Sequence, residues 1–138
     1  MKMITIACTI LVISKGRSGP VTLYRISRDD ARGSEVTVEP SDELGIAPAN
    51  MPSTITAASI SPDGTLLVVR SYVEIIFYRW AGGHAERMNP SCWLGLREPQ
   101  GEAVDFLDAS TLVLTSEAQF GRPALISTVR CQESLPSP

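Results

Sequence analysis

Five polar residues interrupt runs that are otherwise apolar, and they are the residues of this sequence best suited to chemistry: Arg70, Gln100, Glu102, Ser116 and Glu117. A charge at the end of a buried strand must be paired or reach water, so we expect Arg70 to meet the carboxylate of Glu102 or Glu117. Such a pair has two interpretations. It locks neighbouring sheets in register, or it forms a ligand-binding site together with Gln100.

The remaining nucleophilic and metal-binding residue types form no catalytic pattern. His84 is the single histidine, and we expect neither a catalytic pair nor a histidine metal cluster around it. Gly16-Arg17-Ser18-Gly19 is one residue short of a nucleophile elbow and predicts a turn between strands. We therefore predict no catalytic residue, no metal ligand and no cofactor. Ca²⁺ is an alternative for which the chain has no motif.

The three cysteines, Cys8, Cys92 and Cys131, are an odd number without a C-x-x-C spacing. This count and spacing do not support a zinc site or a thioredoxin-type redox pair. Cys92 and Cys131 both follow late strands of neighbouring units and would meet in a disulfide if the protein is exported. Buried free thiols are the other interpretation, since disulfides persist only where the environment is oxidising.

The element that must position these side chains is the stretch of residues 55–80, ITAASISPDGTLLVVRSYVEIIFYRW. Short β-branched and apolar runs flank the sequence SPDG at residues 61–64, which is typical of a tight turn. Residues 66–69 are apolar at every position, which predicts a strand covered on both faces. The stretch therefore predicts an antiparallel meander with further structure packed above and below it.

An internal repeat supplies a packing partner for this meander. Residues 57–66 match residues 103–112 without a gap, at a spacing of 46 residues, and a weaker third copy covers residues 11–16 and 21–25. A period of this length with several short strands per unit is typical of propeller blades, whose sheets bury one another's faces. Chance similarity between β-meanders is the alternative. We predict an all-β fold of two and a half to three antiparallel blades of a β-propeller, with an incomplete ring.

An ordered set of motifs also gives the chain a family resemblance. The motifs are Ser61-Pro62-Asp63-Gly64, Arg70-Ser71-Tyr72, Gln100-Gly101-Glu102-Ala103 and Thr115-Ser116-Glu117. Over roughly residues 9–131, the chain resembles the C-terminal blades of an uncharacterised bacterial β-propeller family of WD-repeat-like or TolB-like proteins. The resemblance implies an extracellular or periplasmic protein. The ligand-binding interpretation of the polar residues places Glu102 near the central channel, where propellers often bind ligands or a cation, with Glu117 nearby.

The composition limits the number of domains and the classes of partner that we expect. A chain of 138 residues, 43% hydrophobic and with a net charge of −3, is typical of one soluble domain. The slightly acidic balance and the lack of a Lys/Arg cluster argue against nucleic acid or an anionic membrane as partner. The apolar segment 1–13 is interpreted as a strand, with a signal peptide as the alternative, so the compartment is not assigned.

The blade-like units are expected at about residues 1–40, 54–97 and 101–131, followed by a tail at 132–138. Outer strands are expected at residues 35–39 and 91–96, with Trp93 packed against a neighbour. Residues 81–87 are predicted to form an exposed loop by composition.

Three functions are consistent with these residues. The first is a noncatalytic β-propeller module that binds a partner or ligand. The second is a hydrolase of phosphate or carboxylic esters, by analogy of fold alone. The third is a fragment without an independent function. Because propellers close with about four to eight blades, the expected partner is a second copy of the chain or the missing blades of a longer one.

Overall fold

The computed structural model describes residues 2–6, 9–33 and 35–131. Within these residues the chain forms twelve β-strands and one short 3-10 turn, Asp30–Arg32, and no α-helix. The predicted all-β class is confirmed. Cys8 and the predicted tail at 132–138 lie outside the described residues.

The first sheet contains four antiparallel strands in chain order: β1 (Lys2–Ile6), β2 (Thr9–Ile13), β3 (Thr22–Ser27) and β4 (Pro40–Glu43). The strand predicted at residues 35–39 is wrong, because the outer strand begins at Pro40. β4 is anchored by the Ser41 hydroxyl, which donates to the Leu23 carbonyl at 3.0 Å. Proline lacks an N–H, so its position on the outermost strand leaves no ladder bond unmade.

The second sheet contains β5 (Ile55–Ile60), β6 (Leu66–Ser71), β7 (Glu74–Ala81) and β8 (His84–Arg87) in chain order, and β9 (Cys92–Trp93) also pairs with β7. The loop predicted at 81–87 is wrong. Gly82 and Gly83 both have positive φ, at 58° and 83°, and a two-residue turn of this kind continues one strand directly into the next. The outer strand predicted at residues 91–96 contains only the two residues Cys92–Trp93. The prediction that Trp93 packs against a neighbour is wrong, because its side chain is 71% exposed.

The third sheet contains β10 (Gln100–Phe106), β11 (Leu112–Glu117) and β12 (Leu125–Val129), again antiparallel and in chain order. A register shift between Gly101 and Ala103 marks a bulge in β10. The β10–β11 register passes over Glu102 at this point, and a bulge of this kind re-aims the side chain that it carries.

The second sheet is covered on both faces, as the all-apolar run at residues 66–69 predicts. Leu67 and Val69 share one face and pack against the first sheet, whereas Val68 packs against the third. All three side chains are fully buried. Alternate residues of a strand point to opposite faces, so one strand can contribute to two cores. The three sheets therefore stack in the order first, second, third.

Tyr78 is fully buried in the core between the first and second sheets. Its hydroxyl donates a hydrogen bond of 2.6 Å to the Leu44 carbonyl, beside the first sheet. Burial raises the pKa of Tyr78 to about 12, because a phenolate would lose its hydration there. Leu11, Ile13 and Leu23 line the same core.

The first strands of the three sheets lie side by side. β5 contacts both β1 and β10. Between β5 and β10, the Ser59 hydroxyl donates a hydrogen bond of 2.6 Å to the Asp105 carboxylate, which is 46 residues further along the chain. The outer strands β4, β8 and β12 consequently lie on the opposite side of the stack from these first strands.

Candidate functional site

Arg70 is the largest fully buried side chain among the described residues. It leaves β6 on the face that packs against the third sheet, and its guanidinium forms an ion pair with Glu98. Its Nη1 donates to the Ala103 carbonyl at 2.8 Å, and its Nε donates to the Ser71 carbonyl at 3.2 Å. The prediction that Arg70 pairs with Glu102 or Glu117 is therefore wrong.

Glu98 reaches Arg70 from the connection that precedes β10. Its side chain is only 7% exposed, and its second oxygen accepts a hydrogen bond from the Ser127 hydroxyl at 3.1 Å. A buried ion pair needs its remaining hydrogen-bonding positions filled to offset desolvation, and Ser71, Ala103 and Ser127 fill several of them. The pair thus links β6 of the second sheet to β10 and β12 of the third.

Gly101 makes room for this pair. A Cβ at Gly101 would overlap the guanidinium of Arg70 and would lie 3.0 Å from the Glu98 carboxylate. A residue with a side chain cannot occupy this position unless Arg70 moves. Glycine is commonly found where a side chain approaches the backbone this closely.

Glu98 was not predicted from the sequence as the partner of Arg70. It lies in a short polar connection, Arg97-Glu98-Pro99, where a charged side chain is expected to be exposed to solvent. The signal that could have found it is Gly101, three residues later. A glycine inside an otherwise regular strand indicates a bulge or a close approach of another group. In this protein both are present.

The second polar group is the carboxylate cluster, which we define as Tyr72, Gln100, Glu102 and Glu117. Glu102 Oε1 accepts hydrogen bonds from the Tyr72 hydroxyl at 3.3 Å and from Gln100 Nε2 at 2.9 Å. Gln100 and Glu117 are directly opposed on β10 and β11, so their side chains share one face of the sheet. The turn between β6 and β7 supplies Tyr72.

Three charged side chains act on the Tyr72 hydroxyl. Burial raises the pKa of Tyr72, and the charges of Glu102 and Glu117 raise it further, while Arg17 opposes them. Arg17 lies in the turn between β2 and β3, which places the first sheet's loop near the same end of the molecule. The Tyr72 hydroxyl therefore lies in the field of two carboxylates and one guanidinium.

The four residues named as a candidate ligand site thus fall into two places. Gln100, Glu102 and Glu117 come together with Tyr72 at the partly exposed end of β10 and β11. Arg70 points into the interface between the second and third sheets, where Glu98 neutralises it. Tyr72 was part of a motif noted in the sequence, but its type and turn position gave no indication that its hydroxyl would meet Glu102.

Ser116 lies on the buried face of β11, directly opposite Gly101. Its hydroxyl has no hydrogen-bond partner among the described residues. No described histidine or carboxylate bonds to it, so it lacks the activating base that a serine nucleophile requires.

Cys92 and Cys131 form a disulfide, with their Cα atoms 5.7 Å apart. Cys92 belongs to β9 in the second sheet and Cys131 lies two residues beyond the end of β12 in the third. The bond therefore joins the same two sheets as the Arg70–Glu98 pair, but at their outer side.

His84 is exposed on β8, and its Nδ1 lies 3.8 Å from the Asp42 carboxylate. Across residues 2–6, 9–33 and 35–131, no group of three or more His, Cys, Asp or Glu side chains is placed to hold a metal ion. The same residues include no helix that is long and apolar enough to cross a membrane.

Comparisons with protein-family models, with curated proteins and with solved structures each find no match to this chain.

Proposed function

We propose that the chain is a noncatalytic β-propeller-type module that binds a cationic group of a ligand or partner at the carboxylate cluster. The observation that carries the proposal is the hydrogen-bonded Tyr72–Glu102–Gln100 group, with Glu117 beside it. Oriented carboxylates and a phenol oxygen are acceptors for an ammonium or guanidinium ion.

The stacking of the sheets supports a propeller-type arrangement. The first strands lie side by side, the middle sheet is buried on both faces, and Ser59 bonds to Asp105 at the 46-residue spacing of the sequence repeat. In a propeller each blade buries its faces against its neighbours, and the first strands line the central channel. The start of β10, where Gln100 and Glu102 lie, would then open onto that channel.

The chemistry of the cluster supports a cationic ligand over an anionic one. An anion would be repelled by the carboxylates of Glu102 and Glu117, whereas a cation would be attracted by them. A guanidinium also matches carboxylate geometry with two parallel hydrogen bonds. The ligand class is therefore a basic side chain or a small molecule that bears one.

The test is calorimetric titration with N-acetyl-arginine amide, with N-acetyl-citrulline amide as a neutral control of almost the same shape. We expect the arginine compound alone to bind the wild-type protein. Glu102→Gln and Glu117→Gln should each weaken binding about tenfold, since a charge-assisted hydrogen bond contributes roughly 1.5 kcal/mol. Glu86→Gln, an exposed change on β8, is the matched control and should leave binding unchanged.

Equal binding of both compounds, or binding that survives both cluster substitutions, would contradict the proposal. Turnover of generic phosphate or carboxylic esters by the same preparation, lost in Glu102→Gln, would favour the hydrolase interpretation instead.

A further inference from the structure

The third sheet ends in an open strand. Whereas the other two sheets continue beyond their third strand, β12 pairs only with β11 among the described residues. An edge strand exposes a row of backbone N–H and C=O groups that can pair with another extended segment. Three of its five side chains are exposed, with Ile126 at 81%, whereas Ser127 and Val129 are half-buried.

The surroundings of this edge are basic and partly apolar. Arg97, Arg122 and Arg130 flank β12, and none of them forms an ion pair with a described residue. Arg122 donates only to the carbonyls of Leu96 and Arg97, and Arg130 donates to the Thr111 hydroxyl. Next to the strand lies a cavity of about 160 Å³, whose apolar lining includes Leu94, Leu114, Leu125 and Val129.

Residues 35–39 have the complementary pattern. Their sequence, Glu-Val-Thr-Val-Glu, places two valines on one face of an extended chain and a carboxylate at each end. The segment has no regular secondary structure. Val36 is 42% exposed, and neither carboxylate pairs with a described cation.

The segment cannot reach β12 of its own chain. It is held near both ends: the Gly33 N–H bonds to the Asp30 carbonyl in the 3-10 turn that follows β3, and Pro40 pairs with Tyr24 of β3. Stacked sheets lie about 10 Å apart, so the third sheet is about 20 Å from the first. The chain between Gly33 and Pro40 extends at most about 25 Å in total. It is therefore too short to reach the third sheet and return to the first. The complement must come from another molecule.

We propose that residues 35–39 of a second copy of this chain pair with β12 as the fourth strand of the third sheet. The five residues pair with residues 126–130, at the end of β12. In the antiparallel orientation Glu35 lies opposite Arg130, Val36 and Val38 lie opposite Val129 and Ser127 on the face of the apolar cavity, and Glu39 lies at the end nearer Arg122. Reciprocal exchange between two copies gives a closed twofold dimer, the commonest symmetry of oligomers.

The test is a charge swap followed by size-exclusion chromatography with light scattering on the full chain. Glu35→Lys/Glu39→Lys and Arg122→Glu/Arg130→Glu should each produce a monomer and weaken association at least about tenfold, because four exposed ion pairs per dimer become repulsive. An equimolar mixture of the two variants should restore a dimer. Asp29→Lys/Glu86→Lys, which reverses two exposed acids elsewhere, should leave the dimer intact.

Amide hydrogen exchange is a second test of the proposal. It does not require the Arg122→Glu/Arg130→Glu variant to fold. In the wild-type dimer, amides of β12 should exchange at least about tenfold more slowly than in Glu35→Lys/Glu39→Lys, since that variant leaves the strand edge open. Contrary outcomes are a monomeric wild-type protein, a dimer that survives both reversals, or a mixture that stays monomeric. Each would overturn the proposal.

Discussion

Arg70 and Glu98 form a buried ion pair across the interface between the second and third sheets. The two side chains are 0% and 7% exposed. If one of them were removed, the charge of the other would stay buried without hydration. Their hydrogen bonds to Ser71, Ala103 and Ser127 extend the contact to strands β10 and β12. The stability of this interface should therefore depend on the pair as a unit.

Removing one partner of the pair should be costly. Arg70→Met leaves the Glu98 carboxylate buried and unpaired, so chemical denaturation should show a loss of on the order of 3 to 5 kcal/mol in unfolding free energy. Arg70→Met/Glu98→Met should regain most of that loss. Arg79→Met is the matched control: Arg79 forms an exposed pair with Glu86 at 3.3 Å, and its loss should cost under about 1 kcal/mol. Equal losses for Arg70→Met and Arg79→Met would disprove the role of the buried pair.

Gly101→Ala should destabilise the protein through the same pair. The added methyl group overlaps the Arg70 guanidinium, and overpacking of this kind costs typically about 1 to 3 kcal/mol. In the Arg70→Met background the methyl group meets a shorter, uncharged side chain, so the two effects should not add. Additive losses in a double-mutant cycle would show that Gly101 acts independently of Arg70.

The sequence was informative about the strands of the middle sheet and uninformative about its outer partners. Residues 66–69 are apolar at every position, and that pattern alone predicts burial on both faces. The pairing of Arg70 depended on a loop carboxylate at Glu98, whose position is set by tertiary contacts and not by strand period. Residues 35–39 alternate as a strand should, yet they remain unpaired in the single chain, because alternation indicates strand propensity without specifying a neighbour.

The disulfide should contribute measurably to stability. Cys92 and Cys131 are 39 residues apart, and closing a loop of this size in the unfolded chain is associated with roughly 3 to 4 kcal/mol. Reductant should lower the melting temperature of the wild-type protein, and Cys92→Ser/Cys131→Ser should melt low and be insensitive to reductant. A wild-type melting temperature unchanged by full reduction would exclude a stabilising bond.

Tyr78 predicts a loss of stability in alkali. Its pKa is raised by burial to about 12 in the folded protein, from 10.0 for an unperturbed tyrosine. A group whose pKa is higher in the folded state stabilises that state fully below its unfolded pKa, and the contribution disappears as the pH rises through the folded pKa. The unfolding free energy should therefore fall between about pH 10 and about pH 12. Tyr78→Phe should show a shallower fall over that window, and identical slopes would contradict the assignment.

The carboxylate cluster is tested most directly by the titration of Tyr72, observed by NMR of ring-labelled tyrosine with and without N-acetyl-arginine amide. Because Glu102 and Glu117 help to hold the pKa of Tyr72 above its ordinary value, a bound guanidinium should lower that pKa by offsetting their charge. The citrulline compound should not change it, and Tyr78 should keep its own pKa with either compound. Binding of the arginine compound that leaves the pKa of Tyr72 unchanged would contradict a cation site at the cluster.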